Sequence, residues 1–214
     1  MDPPPSKRRK LSLPYKEVFG DVTEEYNSNT AVIVQINNCV SRKVHIHSLC
    51  WYISQKYPYG NPYICRKHGP YPNLASMELR PPLGSVKLQF PPKHSTGPII
   101  ACCFSQYRMG NTSSSYYQGC KSLDEEYKRK STYHDTYEHR LEYFRRSLNC
   151  LVNKLKNILE IKIIAFPKYI GCGMAGGSWI DYKGIIINFA YHIKSVRPDI
   201  NVHIVEKKKN KDIN

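Results

Sequence analysis

Apolar positions along the chain follow two rhythms. Residues 31–36 (AVIVQI), 98–104 (PIIACCF) and 161–166 (IKIIAF) are short runs, apolar on both faces, the pattern of strands inside a parallel sheet. Residues 84–90 (GSVKLQF) alternate and predict a further strand, and residues 201–205 a last one. Elsewhere the spacing changes to three and four. Leu141, Phe144, Leu148, Leu151, Val152, Leu155 and Ile158 form one continuous stripe, which predicts a helix over 135–157. Shorter patterns predict helices over 45–56 and 179–193. Residues 57–82 are aromatic and proline-rich, and 106–119 are rich in Gly, Ser and Tyr. Neither is periodic, and the first predicts an ordered loop lying over the sheet. Strands alternating with helices give an α/β domain whose largely parallel sheet is covered on both faces.

Ligands of such sheets bind at the carboxyl ends of the strands. Three motifs fall there: Asn37-Asn38-Cys39, Ser105-Gln106, and the stretch AFPKYIGCGMAGGSW at 165–179. In the last, Pro167 stops a buried strand, and Gly171, Gly173, Gly176 and Gly177 follow within seven residues. Glycines this dense let the backbone turn tightly and bring its N–H groups against a ligand. A helix opening near Ser178 aims its positive end at the same place, which suits a phosphate or diphosphate. The loop is not a P-loop, because it lacks the GK[ST] ending that supplies a lysine and a magnesium-binding hydroxyl. The letters GCGMAG fit a dinucleotide turn, but they lie near the C-terminus with no acidic residue after a later strand.

Single residues are weighed against plainer roles. Asn38 has an amide that both donates and accepts, suited to a ligand hydroxyl or a water. An Asn ending a strand in a turn is its ordinary alternative. His45 and His47 precede a predicted helix near the same edge and are candidates for a general base or a phosphate contact. Arg140, among Asp135, Glu138 and Glu142, reads as a member of a surface ion network. Asp181 reads as a helix N-cap. No Ser/His/Asp set and no carboxylate pair can be assigned from spacing.

The chain has 214 residues and a formal net charge of +15. The length suits one domain with tails. Residues 1–14 are expected to be a basic tail, with Lys7-Arg8-Arg9-Lys10 shaped like a nuclear import signal. Residues 15–206 form the domain, and 207–214 a basic C-terminal tail. These tails hold eight of the 32 lysines and arginines. The remainder points to an anionic ligand such as a nucleotide, or to a nucleic acid, with Tyr57, Tyr59, Tyr63, Tyr71, Tyr107, Tyr116 and Tyr117 as candidates for stacking on bases. The plainer role of these tyrosines is to pack the loops. Eight cysteines show no metal-ligand spacing, so no metal is expected, and the thiols read as reduced, in a nuclear or cytosolic setting. No secretory leader and no membrane span are predicted.

Taken together these pieces resemble a divergent macro domain of the branch associated with ADP-ribose-1″-phosphate processing. The resemblance covers about residues 30–205, in the family's order. It is carried by IVQINNCV (33–40), YPYGNPY (57–63), PPLGSVKL (81–88), IACCFSQ (100–106), DTYEHRLEYF (135–144) and the 165–179 stretch, the most specific of them. It implies a three-layer α/β/α fold with a mixed, largely parallel sheet, a cleft for ADP-ribose, and no cofactor. It implies that Asn38 contacts the distal ribose. It further implies that the loop of Ile170, Gly171, Cys172, Gly173, Met174, Ala175, Gly176 and Gly177, with Trp179, wraps the diphosphate, and that Asn37, Cys39 and Gln106 lie at the same edge. Asn38 and His45 become the candidates for directing water in a hydrolysis of ADP-ribose-1″-phosphate or of an ADP-ribosyl link. The alternative is a reader of ADP-ribosylated protein, poly-ADP-ribose or nucleic acid without turnover. The chain departs from the pattern at 41–48 (SRKVHIHS), which has no glycine. Ile46 stands there in place of a small residue, which implies an altered distal-ribose pocket. Ala175 and Ser178 stand near where some hydrolytic relatives carry an acid.

Overall fold

The computed structural model describes residues 13–69, 73–112 and 135–207. Among them one six-stranded sheet is built from β1 (Tyr15–Phe19), β2 (Ala31–Asn38), β3 (Ser85–Gln89), β4 (Ile99–Gln106), β5 (Ile163–Pro167) and β6 (Asn201–Glu206), in the spatial order β1-β6-β5-β2-β4-β3. Every neighbouring pair is parallel except β3 and β4. The helices are α1 (Val22–Glu25), α2 (Leu49–Lys56), α3 (Tyr137–Leu155) and α4 (Trp179–Val196).

The two-faced apolar runs explain the layers. Alternate residues of β2, Val32 and Val34, face a core completed by Phe144, Leu148, Leu151 and Leu155 of α3 and by Tyr182, Ile186, Phe189 and Ile193 of α4. Ile33 of β2, with Ile100, Cys102 and Phe104 of β4, faces the opposite core, closed by Ile53 of α2 and by Tyr57, Leu74 and Leu83 of the long connection. Each fully buried side chain of this size contributes about 1.5–3 kcal/mol relative to exposure, so neither layer is dispensable. The expected three-layer α/β/α arrangement is therefore present.

Several boundaries differ from the periodic reading. The helix expected over 45–56 begins only after Ser48, whose hydroxyl accepts from the Trp51 N–H as its N-cap. His45–His47 form the turn before it, and His47 has φ of 62°. Strands β2 and β4 run two residues further than their apolar runs, to the polar ends Asn38 and Gln106. The first strand, β1, carries no apolar run at all. It is an edge strand with three exposed residues among five, laddered to β6 alone among the described strands, with Tyr15 and Val18 packed on the two cores and Glu17 paired with Lys183 of α4. The basic tetrad at 7–10, the lysines beyond 207, and Tyr71, Tyr116 and Tyr117 lie outside the described residues.

Candidate functional site

The parallel strands β2, β4 and β5 end side by side, and their loops enclose a cleft of about 370 Å³. On one side lie Ile36 and Asn38 of β2, Lys43–His45, His47 and Ser48 of the turn, and the start of α2. Gln106, Met109 and Gly110 follow β4. Pro167–Gly171 and Gly173–Ala175 follow β5. Of the residues singled out in the sequence, Asn38, His45, Gln106, Ile170, Gly171, Gly173, Met174 and Ala175 thus meet around one space. Asn37, Cys39, Cys172, Gly176, Gly177 and Trp179 are not among the residues that line it.

Their burial says what the latter group does. Gly176 has φ of +69°, and a Cβ there would come within 2.9 Å of Asn111 Cβ. A Cβ on Gly177 would come within 2.4 Å of the Tyr182 ring and 2.6 Å of Gly171 O. These two glycines let the loop fold on itself and against its neighbours. Trp179 opens α4 and packs its ring 5.5 Å from that of Tyr169. The Cys172 thiol lies beside Ile170 O, and burial pushes its pKa up, which keeps it a neutral thiol.

Asn38 is buried and held from several directions. Its Oδ1 accepts from the Ser41 N–H at 2.7 Å, and its Nδ2 donates to the Tyr63 hydroxyl at 3.4 Å. Its main-chain N–H donates to the same hydroxyl at 3.1 Å. Arg66 donates to the carbonyls of Cys39 and Ser41 at 2.8 and 2.6 Å, with its guanidinium over the Tyr63 ring. Neither Tyr63 nor Arg66 was singled out as a support for Asn38. Both sit in the aperiodic stretch, and no spacing connects them to a residue 25 positions away. Desolvation raises the Tyr63 pKa strongly, so the phenol stays protonated as both donor and acceptor.

On the opposite wall, the loop makes internal bonds from Cys172 N to Tyr169 O, Gly176 N to Gly173 O and Gly177 N to Gly171 O. The N–H groups of Gly173, Met174 and Ala175, three consecutive cleft-lining residues, find no acceptor among the described residues. Successive main-chain N–H groups in a turn form an anion-binding concavity. Among the described residues the lining contains Lys43 and Lys168 and no Asp or Glu. Lys168 is paired with Glu206 at 2.6 Å, whereas Lys43 makes no ion pair among the described residues.

Four expectations are corrected here. Arg140 is not a surface residue: its side chain is 1% exposed and is bound to Asp135 at 2.7 Å. The apolar stripe of α3 already held the signal, since position 140 lies one turn before Phe144 and faces inward with it. Asp181 is not the N-cap. Ser178 occupies that position, and Asp181 accepts from the Tyr137 hydroxyl at 2.6 Å. Ile46 is 58% exposed and does not line the cleft. Tyr57, Tyr63 and Tyr107 are buried, and the hydroxyls of Tyr57 and Tyr59 donate to the carbonyls of Thr23 and Pro98. These tyrosines pack the loops and offer no stacking platform. Among the described residues there is no cluster of His, Cys, Asp or Glu that could hold a metal ion, and no helix long and apolar enough to cross a membrane.

Comparison with known proteins places the architecture. No protein-family model and no curated protein sequence matches the chain. Solved structures do. The macrodomain of Mycobacterium tuberculosis DarG superposes with a TM-score of 0.55 at 13% identity, covering 91% of this chain and 99% of that one. The macrodomain of Thermus aquaticus DarG gives a TM-score of 0.55 at 15% identity, covering 90% of this chain and 97% of that one. The chain has a macro-domain-like fold, as the sequence motifs implied.

Proposed function

We propose that this protein binds ADP-ribose, or a derivative of it, in the cleft between Asn38 and the Gly171–Ala175 loop. The observation that carries the reading is the run of N–H groups at Gly173, Met174 and Ala175 without acceptors among the described residues, on the wall of a cleft whose described lining holds two lysines and no carboxylate. That wall suits a diphosphate. The volume of about 370 Å³ lies in the range of small-molecule sites. Asn38, fixed by Ser41 and Tyr63, retains a second Nδ2 hydrogen and an Oδ1 lone pair for ribose hydroxyls. The macro-domain-like fold supports the same ligand class. Calorimetric titration with ADP-ribose is the test: saturable binding is expected, and no heat at millimolar ligand ends the reading.

Two finer readings divide on turnover. In the hydrolytic one, ADP-ribose-1″-phosphate or an ADP-ribosyl link is the substrate, the loop positions the distal ribose, and Asn38 or His45 directs a water. With no carboxylate among the described lining residues, His45 is the general-base candidate and Lys43 a partner for the additional phosphate. The absence of that carboxylate favours the second reading, a module that holds ADP-ribosylated protein, poly-ADP-ribose or a related polymer without chemistry. Phosphate release from ADP-ribose-1″-phosphate, or ADP-ribose release from modified protein, lost in His45→Ala, supports the first. Binding with no release from either substrate supports the second.

A further inference from the structure

The first turn of α3 reaches both loops on the Gly110–Ala175 side of the cleft. Asp135 and Arg140 each have side chains 1% exposed. Taking two charges out of water is costly, and an apolar pair would seat a helix on a sheet as well. The use of the pair lies in what its remaining valences hold. Asp135 Oδ1 accepts from the Tyr107 N–H at 3.2 Å, and Oδ2 from the Arg108 N–H at 3.4 Å. Arg140 donates to the carbonyls of Arg108 at 3.4 Å and Gly110 at 2.5 Å, both in the loop after β4. The same Nη1 reaches the carbonyl of Ala175, in the loop after β5, at 3.5 Å. Gly110 and Ala175 both line the cleft. Between Asp135 and Arg140 in the chain, the hydroxyl of Tyr137, the first residue of α3, accepts from the Ser178 N–H at 3.2 Å, where α4 begins. Between the two loops Gly176 and Asn111 meet with no room for a methyl group.

We propose that the Asp135–Arg140 pair is a positioning device: it fixes the Gly110 and Ala175 segments relative to each other, and so sets the geometry of the anion-binding wall. Its consequence for affinity rests on the ADP-ribose reading; its consequence for loop order does not. The planar guanidinium is needed because a single head must satisfy Asp135 and three carbonyls at once, which an ammonium on a flexible stem does not reproduce.

Arg140→Ala leaves the buried Asp135 carboxylate with Arg108, 3.8 Å away, as its one cationic partner among the described residues and is expected to be strongly destabilised, so the informative variants are Arg140→Lys, and Asp135→Leu with Arg140→Met, which replaces the ion pair by apolar groups. The experiment measures thermal midpoint, ADP-ribose affinity and amide hydrogen exchange. Both variants are expected to stay folded and to lose at least tenfold in affinity. Exchange at Gly110 and across 173–178 is expected to quicken at least tenfold, while the β2 and β4 amides are unchanged. Folded variants with wild-type exchange in both loops overturn the proposal, as does quickened exchange with affinity within twofold of wild type. If wild-type protein binds no ADP-ribose, the functional reading falls, and the exchange measurement alone decides whether the pair orders the loops.

Discussion

Gly171 and Gly173 stand two residues apart in one loop, yet substitution at each is expected to act on a different property. Gly171 has φ of +79°, and a Cβ there would lie 2.5 Å from two ring carbons of Tyr182. That ring is 1% exposed and packs 5.3 Å from Phe144, so it has nowhere to retreat. The left-handed backbone costs an L-residue about 1–2 kcal/mol. Overpacking of a filled core adds about 1–3 kcal/mol. Gly171→Ala is therefore expected to destabilise by about 3 kcal/mol, which lowers the midpoint of a domain this size by roughly 6–12 °C. A Cβ on Gly173 meets nothing within 4 Å. Gly173→Ala is expected to change stability by no more than about 0.5 kcal/mol. Gly173→Trp keeps the fold but fills the cleft, and is expected to abolish ADP-ribose binding. Thermal unfolding followed by circular dichroism, with calorimetry on the folded variants, measures both effects. A Gly171→Ala midpoint within 2 °C of wild type refutes the packing argument. Unimpaired ligand binding by Gly173→Trp refutes the placement of the site.

Other perturbations separate the site from the scaffold. Tyr63→Phe leaves the buried Asn38 N–H without its acceptor, a cost of about 1–3 kcal/mol in denaturant unfolding, and is expected to weaken ADP-ribose binding; undiminished affinity would show that Tyr63 does not hold Asn38 in place. Arg197, which donates to the carbonyls of Leu155, Ile158, Leu159 and Ile161 where α3 ends, lies at the amino edge of β5, away from the cleft. Arg197→Ala is expected to cost about 2–4 kcal/mol with ligand affinity unchanged in the folded fraction, since several bonds to a charged donor are lost. His203 is hydrogen-bonded to the Tyr26 hydroxyl at 2.8 Å, and burial, with Lys16 nearby, holds its pKa below 6.5. The unfolded chain therefore takes up this proton first: stability is full above pH 6.5 and falls as the pH drops below it. His203→Gln is expected to flatten that slope in melts between pH 7 and 5, and an unchanged slope would assign it to other groups.

The central strands were legible because β2, β4 and β5 are buried on both faces, and burial of that kind leaves an uninterrupted apolar run. The stripe of α3 was legible for the same reason, with the period of a helix. β1 was not, because an edge strand with three exposed residues among five has no apolar signature, and its one partner lies at the other end of the chain. At the site, Asn38 and the glycines announced themselves by their place at strand ends. Arg66 and Tyr63 did not, because what matters is a hydrogen bond to a carbonyl or an amide, and main-chain groups are identical at every position. Arg140 was read by its charge among acidic neighbours, when its helical phase was the better guide. Gly176 and Gly177 were read as approach points for a ligand, when the contacts that exclude a Cβ come from Asn111 and Tyr182.

The position of β1 has a consequence for how the chain reaches its folded state. β1 pairs with β6 and with no other strand among the described residues, and β6 follows every other described element in chain order. β1 must therefore wait until the strands and helices between the two have been synthesised. β2, β3 and β4 can assemble earlier, because α3 packs on β3 and β4, strands that precede it in the chain, and β5 is added next to β2. Among the described strand pairs the β1–β6 ladder closes the longest loop and carries the largest chain-closure entropy, so it is expected to be the late, slow step of folding. Until it forms, the edge of β6 is open to any other extended segment, including β1 of a second, unfinished copy. Overcrowded expression should therefore produce strand-exchanged dimers, and a short delay in translation before β6 should not prevent the rest of the sheet from forming.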